Sequence, residues 1–85
     1  MTYRVRLAPR AKRDLRRLSQ QVQDRILPEI HALGSNPRPH GVVKLTDRVR
    51  TYRIRIGDYR VVYEIHDEVL LVLVVEIDHR RDVYR

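Results

Sequence analysis

Apolar and polar positions change period twice along the chain. Tyr3, Val5 and Leu7 alternate with Arg4 and Arg6, the two-residue repeat of a short strand with one buried face. Pro9 suits the first turn of a helix, and Ala11, Leu15 and Leu18 then recur at helical spacing. Arg10, Lys12, Arg13, Arg16 and Arg17 occupy the other faces of that helix. Ser19 predicts the cap of a second helix, whose apolar stripe is Val22, Ile26, Ile30 and Leu33. Pro28 falls inside the stripe and predicts either a kink or a displaced start. Gly34, Ser35, Asn36 and Pro37 end it, and a loop follows over residues 36–41. The period then returns to two.

Tyr52, Ile54 and Ile56 alternate with Arg53 and Arg55, and Tyr59, Val61, Tyr63 and Ile65 continue the alternation. Gly57-Asp58 between them predicts a two-residue hairpin, glycine in first place suiting a type II′ turn. His66-Asp67-Glu68 predicts the next turn. Residues 69–77 are nearly all branched aliphatic, as in a central strand covered on much of both faces. The expected fold is one α+β domain over residues 1–85, in the order β-α-α-β-β-β. It has an antiparallel sheet of about four strands with two N-terminal helices packed on one face.

Composition narrows the function. A chain of 85 residues has interior for one domain only. It has no cysteine, which excludes disulfides and thiolate metal sites and fits a reducing cytoplasm. Residues 1–10 are too polar and basic for a signal peptide, and the longest apolar run, 69–75, is too short to span a bilayer. The expectation is a soluble cytoplasmic protein. The four histidines (His31, His40, His66 and His79) show no metal-ligand spacing, and no glycine-rich nucleotide loop exists, so neither metal nor small-molecule cofactor is expected.

Net charge is +7, and it is regional. Residues 1–37 carry eight basic and three acidic side chains, 38–60 seven and two, and 61–85 three and six. Such a field suits polyanions, or a separate acidic protein that neutralises it.

The hairpin sharpens this reading. With Gly57-Asp58 as the turn, Arg55 pairs with Arg60, Ile54 with Val61 and Arg53 with Val62. Arg53, Arg55 and Arg60 then share the face opposite Tyr52, Ile54 and Ile56. Like charges directly opposed cost about 0.2–1 kcal/mol, and an anion between the guanidinium forks would relieve them. The alternative is a wet sheet face on which the arginines spread into solvent. After the last strand, His79-Arg80-Arg81-Asp82-Val83-Tyr84 brings a histidine, two arginines and a tyrosine to the end of the sheet. A tyrosine offers a stacking face for a single-stranded base.

The run Tyr52-Arg53-Ile54-Arg55-Ile56-Gly57-Asp58-Tyr59-Arg60-Val61-Val62-Tyr63, with the terminal His79–Tyr84 segment, resembles the RelE branch of the RelE/ParE toxin superfamily. The resemblance covers nearly the whole chain, including Lys44-Leu45 before the hairpin. It implies a metal-independent endoribonuclease that cuts mRNA in the ribosomal A site and is silenced by a RelB-like antitoxin. Arg53 and Arg55 stand where the family commonly has basic residues, often lysines. Arg60 matches its arginine after the hairpin, Arg80 the arginine after the last strand, and Tyr84 the C-terminal tyrosine.

In that chemistry the ribose 2′-OH attacks the adjacent phosphate and expels the 5′-oxygen. The reaction needs a base, cations on the phosphorane oxygens and an acid. Arg60 and Arg80 are assigned to transition-state charge, Arg53, Arg55, Arg81 and Lys44 to RNA backbone, and Tyr84 to a base. His79 is the candidate acid or base, because imidazole titrates near neutrality and arginine stays protonated where a family lysine could lose its proton. Two rivals stand beside the nuclease: a non-catalytic inhibitor of DNA gyrase on the same fold, and a non-catalytic RNA-binding module.

Overall fold

The computed structural model describes residues 2–79. Strand β1 (Arg4–Leu7) leads into helices α1 (Pro9–Arg16) and α2 (Gln20–Ala32), and strands β2 (Val43–Lys44), β3 (Thr51–Ile56), β4 (Tyr59–His66) and β5 (Leu71–His79) follow. Pro9 occupies the first turn of α1, and the Ser19 hydroxyl accepts the Val22 N–H at 3.2 Å to start α2. Helix α2 begins right after that cap and runs through Pro28, so the proline does not displace its start.

The sheet has five strands in the order β1-β5-β4-β3-β2, and β1 pairs with β5 in parallel. The expected four-stranded antiparallel sheet is corrected on both counts. β2 is only two residues long, too short for alternation to reveal it. Alternation also reports which face is buried but not the direction in which a strand is paired. The β4–β5 connection is a 3-10 turn (Asp67–Val69) closed by Leu70 at φ +51°, so β5 starts later than the aliphatic run suggests and extends to His79.

One face of the sheet carries the core. Ala11, Ile26, Ile30 and Leu33 from the helical segment meet Ile54, Ile56, Val61, Tyr63, Ile65, Val72, Val74 and Ile77. The β3–β4 hairpin has the expected register, Arg55 opposite Arg60 and Ile54 opposite Val61. Gly57 takes φ +59°, and a Cβ there would lie 2.9 Å from the Arg25 guanidinium, so its lack of a side chain also lets Arg25 lie against the turn.

Two local devices shape the other face. β1 stops alongside Val74, which leaves the far half of β5 without a strand partner on that side among the described residues, and the Asp14 carboxylate from α1 accepts the Ile77 N–H there at 3.0 Å. Between Val62 and Tyr63 the β4–β5 register slips, because Val62 faces Glu76 whereas Tyr63 faces Val74. Val75 is the extra residue, a bulge that reverses which side chains point where. Before it Val72 and Val74 face the core; after it Ile77 does, and Glu76 and Asp78 turn to the open face.

Candidate nucleic-acid interface

Ladder partners share a face, so the open side of the sheet can be read rung by rung. One rung is Arg55, Arg60 and Asp78; the next is Val43, Arg53, Val62 and Glu76. Arg53, Arg55 and Arg60 are therefore brought together on the side away from the helices. Among the described residues no carboxylate forms an ion pair with Arg53 or Arg55, and Arg55 Nε donates to the Gly57 carbonyl at 3.0 Å. Val62 stays only 7% exposed on this face.

Two further arginines join. From the loop before β3, Arg48 places both terminal nitrogens 3.1 Å from Glu76 Oε1. From the first turn of α1, Arg10 Nη2 reaches Glu76 Oε2 and Asp78 Oδ1, each at 3.5 Å. Among the described residues, five guanidinium groups (Arg10, Arg48, Arg53, Arg55 and Arg60) thus share this side of the sheet with Glu76 and Asp78, which Arg10 and Arg48 contact directly.

The carboxylates differ. Burial would raise Glu76, but its hydrogen bond with Asp78 and its pairs with Arg48 and Arg10 outweigh that and hold it below the ordinary value. Asp78 is pushed up to about 6, first by burial and then by the hydrogen bond with Glu76 and the charge beside it. Arg10, Arg48, Glu76 and Asp78 are absent from the candidates that sequence reasoning yields, although a signal is present. Apolar residues hold even positions at Val72 and Val74, then acids hold them at Glu76 and Asp78 around Ile77. That shift of phase marks the bulge.

The remaining candidates separate. His79 pairs with Tyr59 and packs edge-on to its ring, centroids 4.9 Å apart, on the helix side of the sheet. Lys44 lies opposite Tyr52, also off the arginine face, and lines a cavity of about 500 Å³ with Arg38, Arg50 and Asp67. Arg80, Arg81 and Tyr84 lie outside the described residues.

The profile of the ParE toxin of type II toxin–antitoxin systems matches residues 5–84. Toxin RelG of Mycobacterium tuberculosis is 33% identical over 86 residues, covering 100% of this chain and 99% of that protein. A chain of the RelBE2 toxin–antitoxin complex of the same organism superposes with a TM-score of 0.83 at 30% identity, covering 94% of this chain and 93% of the other. The RelE–RelB complex of Pyrococcus horikoshii gives 0.82 at 29%, covering 94% and 97%.

Proposed function

Because the chain belongs to the RelE/ParE superfamily of type II toxin–antitoxin toxins, we propose that it is a ribosome-dependent, metal-independent mRNA endonuclease, active in the cytoplasm and neutralised by a RelB-like antitoxin. RelE relatives solved as complexes with RelB-type antitoxins support the antitoxin half of this reading. The observation that carries it is the Arg55–Arg60 rung. Two guanidinium groups stand opposite each other, with Arg53 one rung on, and such forks on one face match the oxygens of a phosphate.

In this reading Arg60, with Arg80, takes the charge that develops on the phosphorane oxygens. Arg53, Arg55 and Arg81 hold the RNA backbone, and Tyr84 stacks on or orients a base. Lys44 and His79 serve from the other side of the sheet. Lys44 would meet phosphate farther along the message, and His79, the candidate acid or base, packs against Tyr59.

The test is translation from purified components, read by primer extension on a defined message. Codon-spaced cuts that disappear with Arg60→Ala support the proposal. An intact message together with blocked DNA supercoiling would replace it with gyrase inhibition, and equal cutting of naked RNA would remove the ribosome from the mechanism.

A further inference from the structure

We propose that Asp78 is the base that removes the 2′-hydroxyl proton, a role that rests on the nuclease reading above. Its place in the fold comes first. Asp78 is the direct ladder partner of Arg60 and so lies on the arginine face, with Arg55 next along the rung. Neighbouring Cβ atoms on such a rung are about 5 Å apart. A phosphate held by Arg60 would therefore bring its ribose within reach of this carboxylate.

Elimination supports the same residue. Arginine remains protonated and cannot accept a proton. Glu76 is engaged by both terminal nitrogens of Arg48 at 3.1 Å. His79 and Lys44 are on the other side of the sheet. Glu64 is on the arginine side but holds His66 at 2.8 Å, and it stands four residues along β4 from Arg60, roughly 13 Å away. Asp78 meets Arg10 at 3.5 Å and hydrogen-bonds with Glu76, has no bidentate guanidinium partner among the described residues, and keeps a side chain 26% exposed.

The charges facing Asp78 are Arg10 and Asp14 from α1, Glu76 from its own strand and Arg60 from β4. Arg10 favours its ionised form, and burial, Glu76 and Asp14 oppose it, with a balance near 6. Two neighbouring carboxyl groups whose environments drive them apart are the usual arrangement for dividing acid–base work. Here Glu76 remains an anion that fixes Arg48 and Arg10, and Asp78 is able to exchange a proton near neutrality.

The step balances. The Asp78 carboxylate takes the 2′-OH proton as the 2′-oxygen forms its bond to phosphorus. The bond from phosphorus to the 5′-oxygen breaks, leaving a 2′,3′-cyclic phosphate. The departing 5′-oxygen takes a proton from water, and Asp78 returns its own to solvent.

Single-turnover cleavage on programmed ribosomes from about pH 5 to about pH 8.5 tests this, a range that spans the Asp78 midpoint. The wild-type rate should be level above neutrality and fall about tenfold per pH unit below about 6. Asp78→Asn should lose roughly 10²–10⁴-fold, the usual worth of general base catalysis, and its residual rate should lack the acid limb. Asp78→Glu should keep a limb at a shifted midpoint, which also answers the objection that the asparagine variant is misfolded. Full activity in Asp78→Asn, an acid limb that survives in it, or a wild-type profile with no limb would each overturn the assignment. A wild-type chain that cuts no message at any pH refutes the nuclease reading itself, and Asp78 loses its role with it.

Discussion

Arg38 meets Asp67 through two nitrogens at 2.8 and 3.3 Å, whereas Arg10 reaches Asp78 at 3.5 Å through one. The first pair belongs to a clasp. Tyr3 also donates to Asp67, Arg38 lies 5.4 Å over the Tyr52 ring, and the Tyr63 hydroxyl donates to the Pro37 carbonyl at 2.7 Å. Together they fasten the loop after α2 to the sheet. The carboxylate there is held below its ordinary value, chiefly by the hydrogen bond from Arg38. On the open face the same two side-chain types are crowded: arginine opposes arginine, and Asp78 is pushed the other way. The clasp has settled its charges within the chain. Among the described residues the open face sets the guanidinium groups of Arg10, Arg48, Arg53, Arg55 and Arg60 against the carboxylates of Glu64, Glu76 and Asp78, and that surplus of positive charge is what an incoming phosphate would meet.

Arg60→Ala should separate these regions most sharply. Removing one preorganised charge donor typically lowers kcat by about 10²–10³-fold. Stability should move little, since relief of the Arg55–Arg60 repulsion, about 0.2–1 kcal/mol, works against the loss of the contacts that Arg60 makes. Cleavage assays beside thermal melts check both parts. A large fall in Tm with activity preserved in the folded fraction would make the arginine rung a structural device.

Gly57→Ala comes next. It forces a φ of +59° on a residue with a Cβ, at a cost of about 1–2 kcal/mol, and crowds Arg25. In a domain this small each kcal/mol lowers Tm by roughly 4–8 °C. Tyr63→Phe strikes the clasp instead. It leaves the Pro37 carbonyl without its donor, worth about 1 kcal/mol, and should leave the cleavage rate per folded molecule unchanged. If that variant lost activity while keeping its Tm, the clasp would be part of the active face.

These contrasts are unequally legible in the sequence. Strict alternation on both sides of a two-residue turn fixes register, so the pairing of Arg55 with Arg60 follows from residue order alone. The clasp does not, because Arg38 and Asp67 are 29 residues apart and nothing in either local pattern couples them. The parallel partner of β1 is hidden for a related reason: an edge strand alternates identically whichever way its neighbour runs. Glu76 and Asp78 are concealed by a single bulged residue, since the unbroken apolar run 69–75 hides the change of phase at Val75 that decides which face they take. For His79 the residue order tells the end of the sheet but not the face: strand alternation sends adjacent side chains to opposite faces, and Asp78 is the one on the arginine side.

The smallest expected effect is on the pH dependence of stability, and it should have opposite signs in the two regions. Asp67 has a folded value below its ordinary 3.8, so its contribution is present above that value and is lost as pH falls through the lowered one. The deficit of Asp67→Asn relative to wild type should therefore be largest near neutrality and close on acidification. Asp78 is raised to about 6, so between there and 3.8 the folded chain keeps a proton that the unfolded chain releases. Wild type should gain on Asp78→Asn as pH drops through that window, because the asparagine already imitates the protonated carboxyl. Thermal melts of the three proteins from about pH 7 to about pH 2 give both differences. If the two variants moved in parallel, the open face would be as fully neutralised as the clasp, and Asp78 would have no spare capacity to accept a proton.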